Sequence, residues 1–415
     1  MQFPIKERPI KHPEFCLEKR GPKFKYSQIN KFKKMASKVH FTDMHATMRA
    51  NLQKKLEILM KKTGFEKIDF SGKFVAVKLH FGEPGNLAYL RPNYAKTVCD
   101  YIKKLGGKPF VTDCNTLYVG GRKNGLDHLD SAYMNGYNPF ATGVHTIIAD
   151  GIKGLDEHLV PVKNGEYVKE AKIGSAIMDA DIIVSLNHFK GHELTGFGGA
   201  LKNLGMGCGS RAGKMEMHSE GKPVINQDLC IGCGMCRNIC AHDAPAIKNG
   251  KAAIDHQKCV GCGRCIAVCP KDAVTPAFDE ANDILNCKIA EYAQAVVQDR
   301  PNFHINIVID VSPFCDCHAE NDIPIVPDCD CDSNPEEPKM ADIGMLASLD
   351  PVALDMACAD AVNKQPAISG SILEKHGHSH HDHFKDVSPE TNWISALEHA
   401  QKIGVGSMEY DLVEI

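Results

Sequence analysis

The chain has 415 residues, 43% of them hydrophobic and 24% charged, with a formal net charge of -4; that is length for roughly three domains, or for one α/β domain carrying an insertion. The near-neutral balance argues against nucleic acid or a membrane as the main partner. No apolar run is long enough to cross a bilayer, and no leader ends in a small-residue cleavage site, so a soluble cytoplasmic protein is expected. Eighteen cysteines in a reducing compartment point to metal or redox centres rather than disulfides.

Residues 1–35 read as a basic N-terminal extension, because the first 34 carry ten Lys or Arg against three acids; either a solvated arm or a dock for an acidic partner fits. An α/β body is expected over 36–222 and again over 280–415. In "HATMRANLQKKLEILMKK", Met48, Leu52, Leu56 and Leu59 recur at helical spacing and predict an amphipathic surface helix. Short apolar runs at 74–80, 109–113, 144–150, 181–187, 304–312 and 341–348 predict strands. Helical patterns separate them, which is the signature of a mostly parallel open sheet with flanking helices. Pro92 in a first turn and Gly106-Gly107 as a stop bound one connecting helix; Asp350 and Pro351 open another.

In an open α/β sheet, ligands bind beyond the carboxyl ends of the strands. The segments that follow the expected strands supply His80 and Glu83, then Asp113, Asp150, the run "HFKGHELTGFGGALKNLGMG", Cys315 and Cys317, and finally Asp350. The run contributes His188, Lys190, His192 and Lys202. Its glycines allow close backbone approach ahead of a helix start, which suits an anionic ligand, although a glycine turn that only packs fits equally. The candidate catalytic set is therefore Glu83, Asp113, His188, Lys190, His192 and Lys202.

Between the two parts of the body, residues 223–279 carry two cysteine runs. "CIGCGMCRNIC" holds Cys230, Cys233, Cys236 and Cys240; "CVGCGRCIAVCP" holds Cys259, Cys262, Cys265 and Cys269. Three cysteines at two-residue gaps hold one corner of a cubane while the fourth reaches the other cluster. One 4Fe-4S cluster is thus expected on Cys230, Cys233, Cys236 and Cys269, and a second on Cys259, Cys262, Cys265 and Cys240. The segment resembles the bacterial two-cluster ferredoxins, an inserted α+β domain, with Ala241 where a proline commonly follows the fourth cysteine.

The motifs "VKLHFGEPGNLAYLRP", "VTDCNTLYVGGRKNGLDHL", "IIADGIKG", "HFKGHELTGFGGALKNLGMG", "ADIGMLASLDPVALDMACADAVN" and "LEHAQKIGVGSMEYDLVEI" resemble the iron-sulfur centre protein family catalogued as domain of unknown function 362. The resemblance covers nearly everything after Ala36 and implies the architecture without defining a reaction. "GFGGALKNLGMG" is also loosely similar to the glycine-glycine-x-x-lysine segment of the nickel-pincer lactate racemases; that similarity puts Lys202 where their cofactor-attaching lysine lies.

A further cysteine cluster, "CDCHAENDIPIVPDCDC", holds Cys315, Cys317, Cys329 and Cys331. All four thiolates as a zinc site, a third iron-sulfur centre, the first pair ligating with help from His80, His188 or His192, and two reduced surface pairs are the competing readings. The tract "HGHSHHDHF" adds His376, His378, His380, His381 and His383, a loop suited to weak metal binding. Three functions follow. The chain is an oxidoreductase of undefined substrate, its clusters passing electrons to a metal or substrate site at the carboxyl edge of the sheet; or a non-catalytic electron carrier; or a metal-handling protein. A redox partner protein or a small-molecule substrate is the expected partner.

Overall fold

The structure is a computed structural model and describes residues 36–118, 120–218, 221–278, 280–317, 324–326, 343–377 and 382–415. Its centre is an eight-stranded sheet. In chain order the strands are β1 (Ser37–Thr42), β2 (Phe74–Lys78), β3 (Lys108–Asp113), β4 (Thr146–Ile148), β5 (Ile182–His188), β6 (Asn302–Val308), β7 (Gly344–Ser348) and β8 (Tyr410–Glu414). The order across the sheet is β8-β1-β7-β6-β5-β2-β3-β4. Strands β6, β5, β2, β3 and β4 are mutually parallel. Only β7 runs against its neighbours β6 and β1. All six strands expected from sequence are present; β1 and β8, which pair with each other in parallel, are additional.

Alternation along the central strands builds two apolar layers. Ile182, Val184 and Leu186 of β5 and Phe303, Ile305 and Ile307 of β6 face one core. Helices α1 (Leu52–Thr63) and α2 (Pro92–Lys104) cover that face. Pro92 occupies the first turn of α2, as expected, and Lys104 is its last residue. Helix α1 is shorter than its periodicity predicts: Asn51 caps it by accepting from the Lys54 N–H, and Gly64 closes it at φ 94°. Met48 therefore lies outside the helix and is fully exposed, a correction to the expected apolar stripe.

A second core on the opposite face is covered by α4 (Ala200–Cys208), α6 (Asn282–Val297), α7 (Pro351–Asn363) and α8 (Ile394–Ile403). Between them in the chain, α3 (Gly125–Met134) follows β3, and α5 (Arg211–His218) follows α4. Here β5 and β6 present polar residues that satisfy one another: Asn187 Nδ2 donates to Asn306 Oδ1 at 2.8 Å, and Asn306 Nδ2 donates to Asp355 at 2.8 Å.

Residues 223–276 add two small antiparallel sheets to this body. Pro223–Ile225 pairs with Val274–Pro276, and Pro245–Lys248 pairs with Lys251–Ile254, both antiparallel. Two short helices, Met235–Ile239 and Arg264–Ala267, follow Gly234 and Gly263, whose φ values of 77° and 68° suit glycine alone without strain.

Candidate functional site at the carboxyl edge of the sheet

A cavity opens beyond the carboxyl ends of β6, β5, β2 and β3. His80, Asp113, His188, Lys190, Lys202, Cys315 and Cys317 all line it, so the parallel strands bring together most of the residues picked from sequence. Glu83, Asp150 and His192 do not line it, and neither does Asp350. It follows β7, the antiparallel strand, and so lies at the opposite edge, where its carboxylate caps α7.

The centre of the site is a sulfur pair. Cys315 Sγ stands 3.1 Å from Cys317 Sγ, and His80 Nε2 lies 3.2 Å from Cys317 Sγ. These three atoms lie within 4.8 Å of one another; among the described residues no other His, Cys, Asp or Glu trio meets that spacing. The hydrogen bond with Cys317, reinforced by Lys202, His192 and Lys190, holds the Cys315 thiol well below its usual range against the opposing effect of burial. Lys202 Nζ is 3.6 Å from Cys315 Sγ. His192 accepts from the Leu194 and Thr195 N–H groups on Nδ1, which leaves Nε2 to face the sulfur.

Asp316, between the cysteines, is the residue that sequence reasoning passed over. It accepts from Lys190 Nζ at 2.9 Å and pairs with His188 Nδ1 at 2.9 Å. Burial works to raise its carboxyl, but His188 and Lys190 outweigh burial and hold it well below the usual range. The Asp316 carbonyl also accepts from the Glu83 N–H at 3.1 Å, tying the His80 loop to the cysteine loop. His188 directs its second nitrogen at the Ile309 carbonyl, 2.8 Å away. Both of its nitrogens face oxygen atoms, so His188 holds Asp316 in place.

Two further candidates also act on neighbours. Glu83 accepts from Arg122 Nε at 2.7 Å and from the Gly121 N–H. Asp113 pairs with Lys78 at 2.9 Å, and Lys78 with His128 outweighs the effect of burial to keep its carboxyl well below the usual range. Lys78, Arg122, Lys214 and His218 line the cavity without having been picked. Burial, reinforced by Lys202 and His192, pushes the His218 imidazole down to about 3; it lies 3.2 Å from the Tyr118 hydroxyl. The glycine-rich run is a short hairpin, Lys190–His192 against Gly196–Gly198, leading into α4. The α4 N-terminus already holds the Asp355 carboxylate, so the anion site expected there is filled from within.

Residues 223–276 line two further hollows. One is lined by Cys230, Cys233, Cys236 and Cys269; the other by Cys240, Cys259, Cys262 and Cys265. The Ala252 N–H donates to Cys230 Sγ and the Ala273 N–H to Cys269 Sγ, each at 3.3 Å. Leu117 lines the large cavity and also packs in the apolar cluster that contains Cys230, Cys236, Cys265 and Cys269. Lys123, next to Arg122, donates to the Cys269 carbonyl at 3.1 Å. Cys329, Cys331, His378, His380 and His381 lie outside the described residues. His376 and His383 turn a ring nitrogen to the Asp386 and Gln365 carbonyls, at 3.0 and 2.7 Å.

Fold and cavity together define an α/β protein with a largely parallel sheet and a cysteine- and lysine-lined site at its carboxyl edge. The chain belongs to the family described as Domain of unknown function (DUF362), which matches residues 75–360. A thylakoid-associated protein of Synechocystis sp. is 27% identical over 150 residues, a match that takes in 35% of this chain and 40% of that one. Among solved structures, the lactate racemase apoprotein from Thermoanaerobacterium thermosaccharolyticum overlays with a TM-score of 0.36 at 10% identity, covering 66% of this chain and 51% of the racemase. A protein from Thermotoga maritima overlays with a TM-score of 0.33 at 13% identity, covering 63% and 52%. Both overlays are remote, and the chain spans about half of each of those proteins. Among the described residues, no helix is long and apolar enough to cross a membrane.

Proposed function

We propose that the protein is an iron-sulfur oxidoreductase in which residues 223–279 are an inserted two-cluster ferredoxin domain. Its two 4Fe-4S clusters exchange single electrons with a metal or substrate site in the large cavity. The observation that supports this reading is the partition of eight cysteines into two hollows, each walled by three cysteines of one run and the fourth of the other.

The donor sets fit cubanes better than zinc. Sulfurs around one zinc ion, bonded at about 2.3 Å, stand within about 4 Å of each other. Among the described residues, no three cysteines of either hollow come within 4.8 Å of one another, a spread that suits a polynuclear cluster. Cys230, Cys233, Cys236 and Cys269 would hold one cluster; Cys259, Cys262, Cys265 and Cys240 the other. Each cluster, when bound, supplies one-electron transfer. The chain's own share is to exclude water with Leu117, Met215 and Ile266, and to direct backbone N–H groups at sulfur, a lever that tunes potential.

The carrier reading is weaker because a carrier has no use for a half-buried thiol pair ringed by cations. The Leu117 wall and the Arg122-Lys123 step join the cysteine hollows to that pair. The test is anaerobic analysis of iron and acid-labile sulfide, followed by reductive titration. About eight irons and eight sulfides per chain, with two electrons taken up at the clusters, are expected. Zinc in place of iron in an anaerobic preparation would refute the proposal.

A further inference from the structure

Cys315 Sγ and Cys317 Sγ hydrogen-bond to each other at 3.1 Å, on a stretch beyond β6 that belongs to no helix or strand. A disulfide bond of about 2.05 Å needs the two sulfurs to close by roughly one ångström, and no sheet or helix hydrogen bond breaks for it. A metal ion between them has no such support. The His80 imidazole accepts from the Gly82 N–H on Nδ1, and its Nε2 is shared between Arg122 Nη1 at 2.9 Å and Cys317 Sγ at 3.2 Å. That ring is fully engaged. Lys190, Lys202 and Arg122 act on the pair as cations; they repel a metal ion and favour a thiolate.

A disulfide across one intervening residue closes a small ring, in which the preferred sulfur geometry is reached only with strain. Asp316, the residue inside that ring, is held by Lys190 Nζ and His188 Nδ1, each at 2.9 Å, and its carbonyl accepts from the Glu83 N–H. The backbone has little room to relax. Strained disulfides are the readily reduced ones, and they are the ones that take part in catalysis. The electron count agrees: opening one disulfide takes two electrons, and the two cysteine hollows, which would hold a one-electron cluster each, supply two. Leu117 borders both the cavity and the apolar cluster around those cysteines.

We propose that Cys315 and Cys317 form a redox-active dithiol–disulfide couple that takes one electron from each cluster and passes both to a small-molecule disulfide in the cavity. This rests on reading residues 223–279 as the two-cluster domain and names the group and the substrate class at the end of its path. The substrate is small because Cys315 is only 2% exposed, out of reach of a disulfide on another protein's surface.

The steps balance. Opening the Cys315–Cys317 bond consumes two electrons and one proton and leaves a Cys315 thiolate beside the Cys317 thiol. Lys202 Nζ, 3.6 Å from Cys315 Sγ and without a carboxylate partner among the described residues, balances that thiolate. The thiolate attacks one sulfur of the substrate RS–SR′; a mixed disulfide forms on Cys315, the substrate S–S bond breaks, and the departing R′S⁻ takes the Cys317 proton. Cys317 then attacks Cys315 Sγ, RS⁻ leaves, and the disulfide is restored for the next two electrons.

The test places the anaerobically purified protein, its iron and sulfide counted, in glutathione buffers running from wholly reduced to wholly oxidised. Free thiols are blocked with N-ethylmaleimide, and a cut after Glu320 parts this pair from Cys329 and Cys331 before weighing. One transition, from two blocked thiols to an internal bond, is expected. Two blocked thiols throughout, or a glutathione adduct that never closes, overturns the proposal. Protein reduced with dithionite, freed of it and mixed with hydroxyethyl disulfide should release about four molecules of mercaptoethanol per chain, two from the dithiol and two drawn through it from the clusters, whose oxidised absorbance returns. Cys315→Ser and Cys317→Ser should each keep their iron and slow that return at least tenfold. Wild-type clusters that stay reduced while the pair oxidises overturn the link between them. A pair that closes as expected in a chain lacking iron and sulfide would refute the electron-path reading and leave the dithiol couple standing.

Discussion

The Asp355 carboxylate sits against the first turn of α4, accepting from the Ala200 N–H at 2.7 Å and the Leu201 N–H at 2.9 Å. A helix start offers partial positive charge and unsatisfied donors, and here a residue 155 positions away takes both. Asn306 Nδ2 adds a third hydrogen bond. Burial raises the Asp355 carboxyl to about 6 even so. Replacing Asp355 with Ala leaves three buried donors without this acceptor and should cost about 2–4 kcal/mol. Asp355→Asn, which keeps one acceptor oxygen, should cost less. Urea unfolding followed by the fluorescence of Trp393, the single tryptophan, reads both.

The Lys78–Asp113 pair is buried on both sides, with side-chain exposures of 1% and 5%. Lys78→Met leaves an ionised carboxylate without its nearest cation and should lose about 3–5 kcal/mol. The double change Lys78→Met, Asp113→Asn should recover more than half of that loss, because it removes the buried charge along with its partner. A double variant no more stable than the single one would show that the pair is not the unit that matters.

A pH effect follows from His399 on α8. Its ring is raised to about 9 by hydrogen bonding with Cys287 first and with Glu291 second, the latter at 2.8 Å. The folded value exceeds the unfolded one of about 6.5. The stabilisation is therefore complete below about pH 6.5 and disappears as pH climbs through 9. After allowance for solvent screening it amounts to about 1–2 kcal/mol. The thermal midpoint of the wild type should fall across that window more than that of His399→Gln; parallel curves would remove the histidine from the account.

The crossed assignment of the cysteines makes a pairwise prediction. Cys240→Ser with Cys259→Ser should cost one cluster and leave about four irons per chain, because both residues wall one hollow. Cys240→Ser with Cys230→Ser should cost both clusters, because Cys230 walls the other. Ligation run by run would reverse the two results.

The part of the site that was legible in the sequence is the part that follows parallel strands. His80, Asp113, His188 and Cys315 each stand at or beyond the end of a strand of the same direction, so the topology alone collects them. Asp350 was misplaced because alternation of apolar residues is the same in a strand of either direction, and β7 is reversed. Lys78 was passed over inside an apolar run; its partner Asp113 ends the neighbouring strand, one residue beyond Thr112, which the register sets opposite Lys78. Arg122 and His218 stand on a loop and a helix end, where no period marks a residue as inward. Glu83 and His188 were picked for chemistry, yet their partners Arg122 and Asp316 make them positioning groups, a distinction that needs distances.

Asp350 has a consequence for how the body comes apart. One of its oxygens accepts from the Val352 and Ala353 N–H groups; the other accepts from Ser37 Oγ at 2.7 Å and the Ser407 N–H at 2.9 Å. Ser37 opens β1, and Ser407 precedes β8, its edge partner. A single carboxylate thus fastens segments from near the two ends of the described body to one helix start. Fraying at this margin is one event rather than two: amides of β1 and β8 exchange with solvent together, and a protease that reaches one strand finds the other already loose.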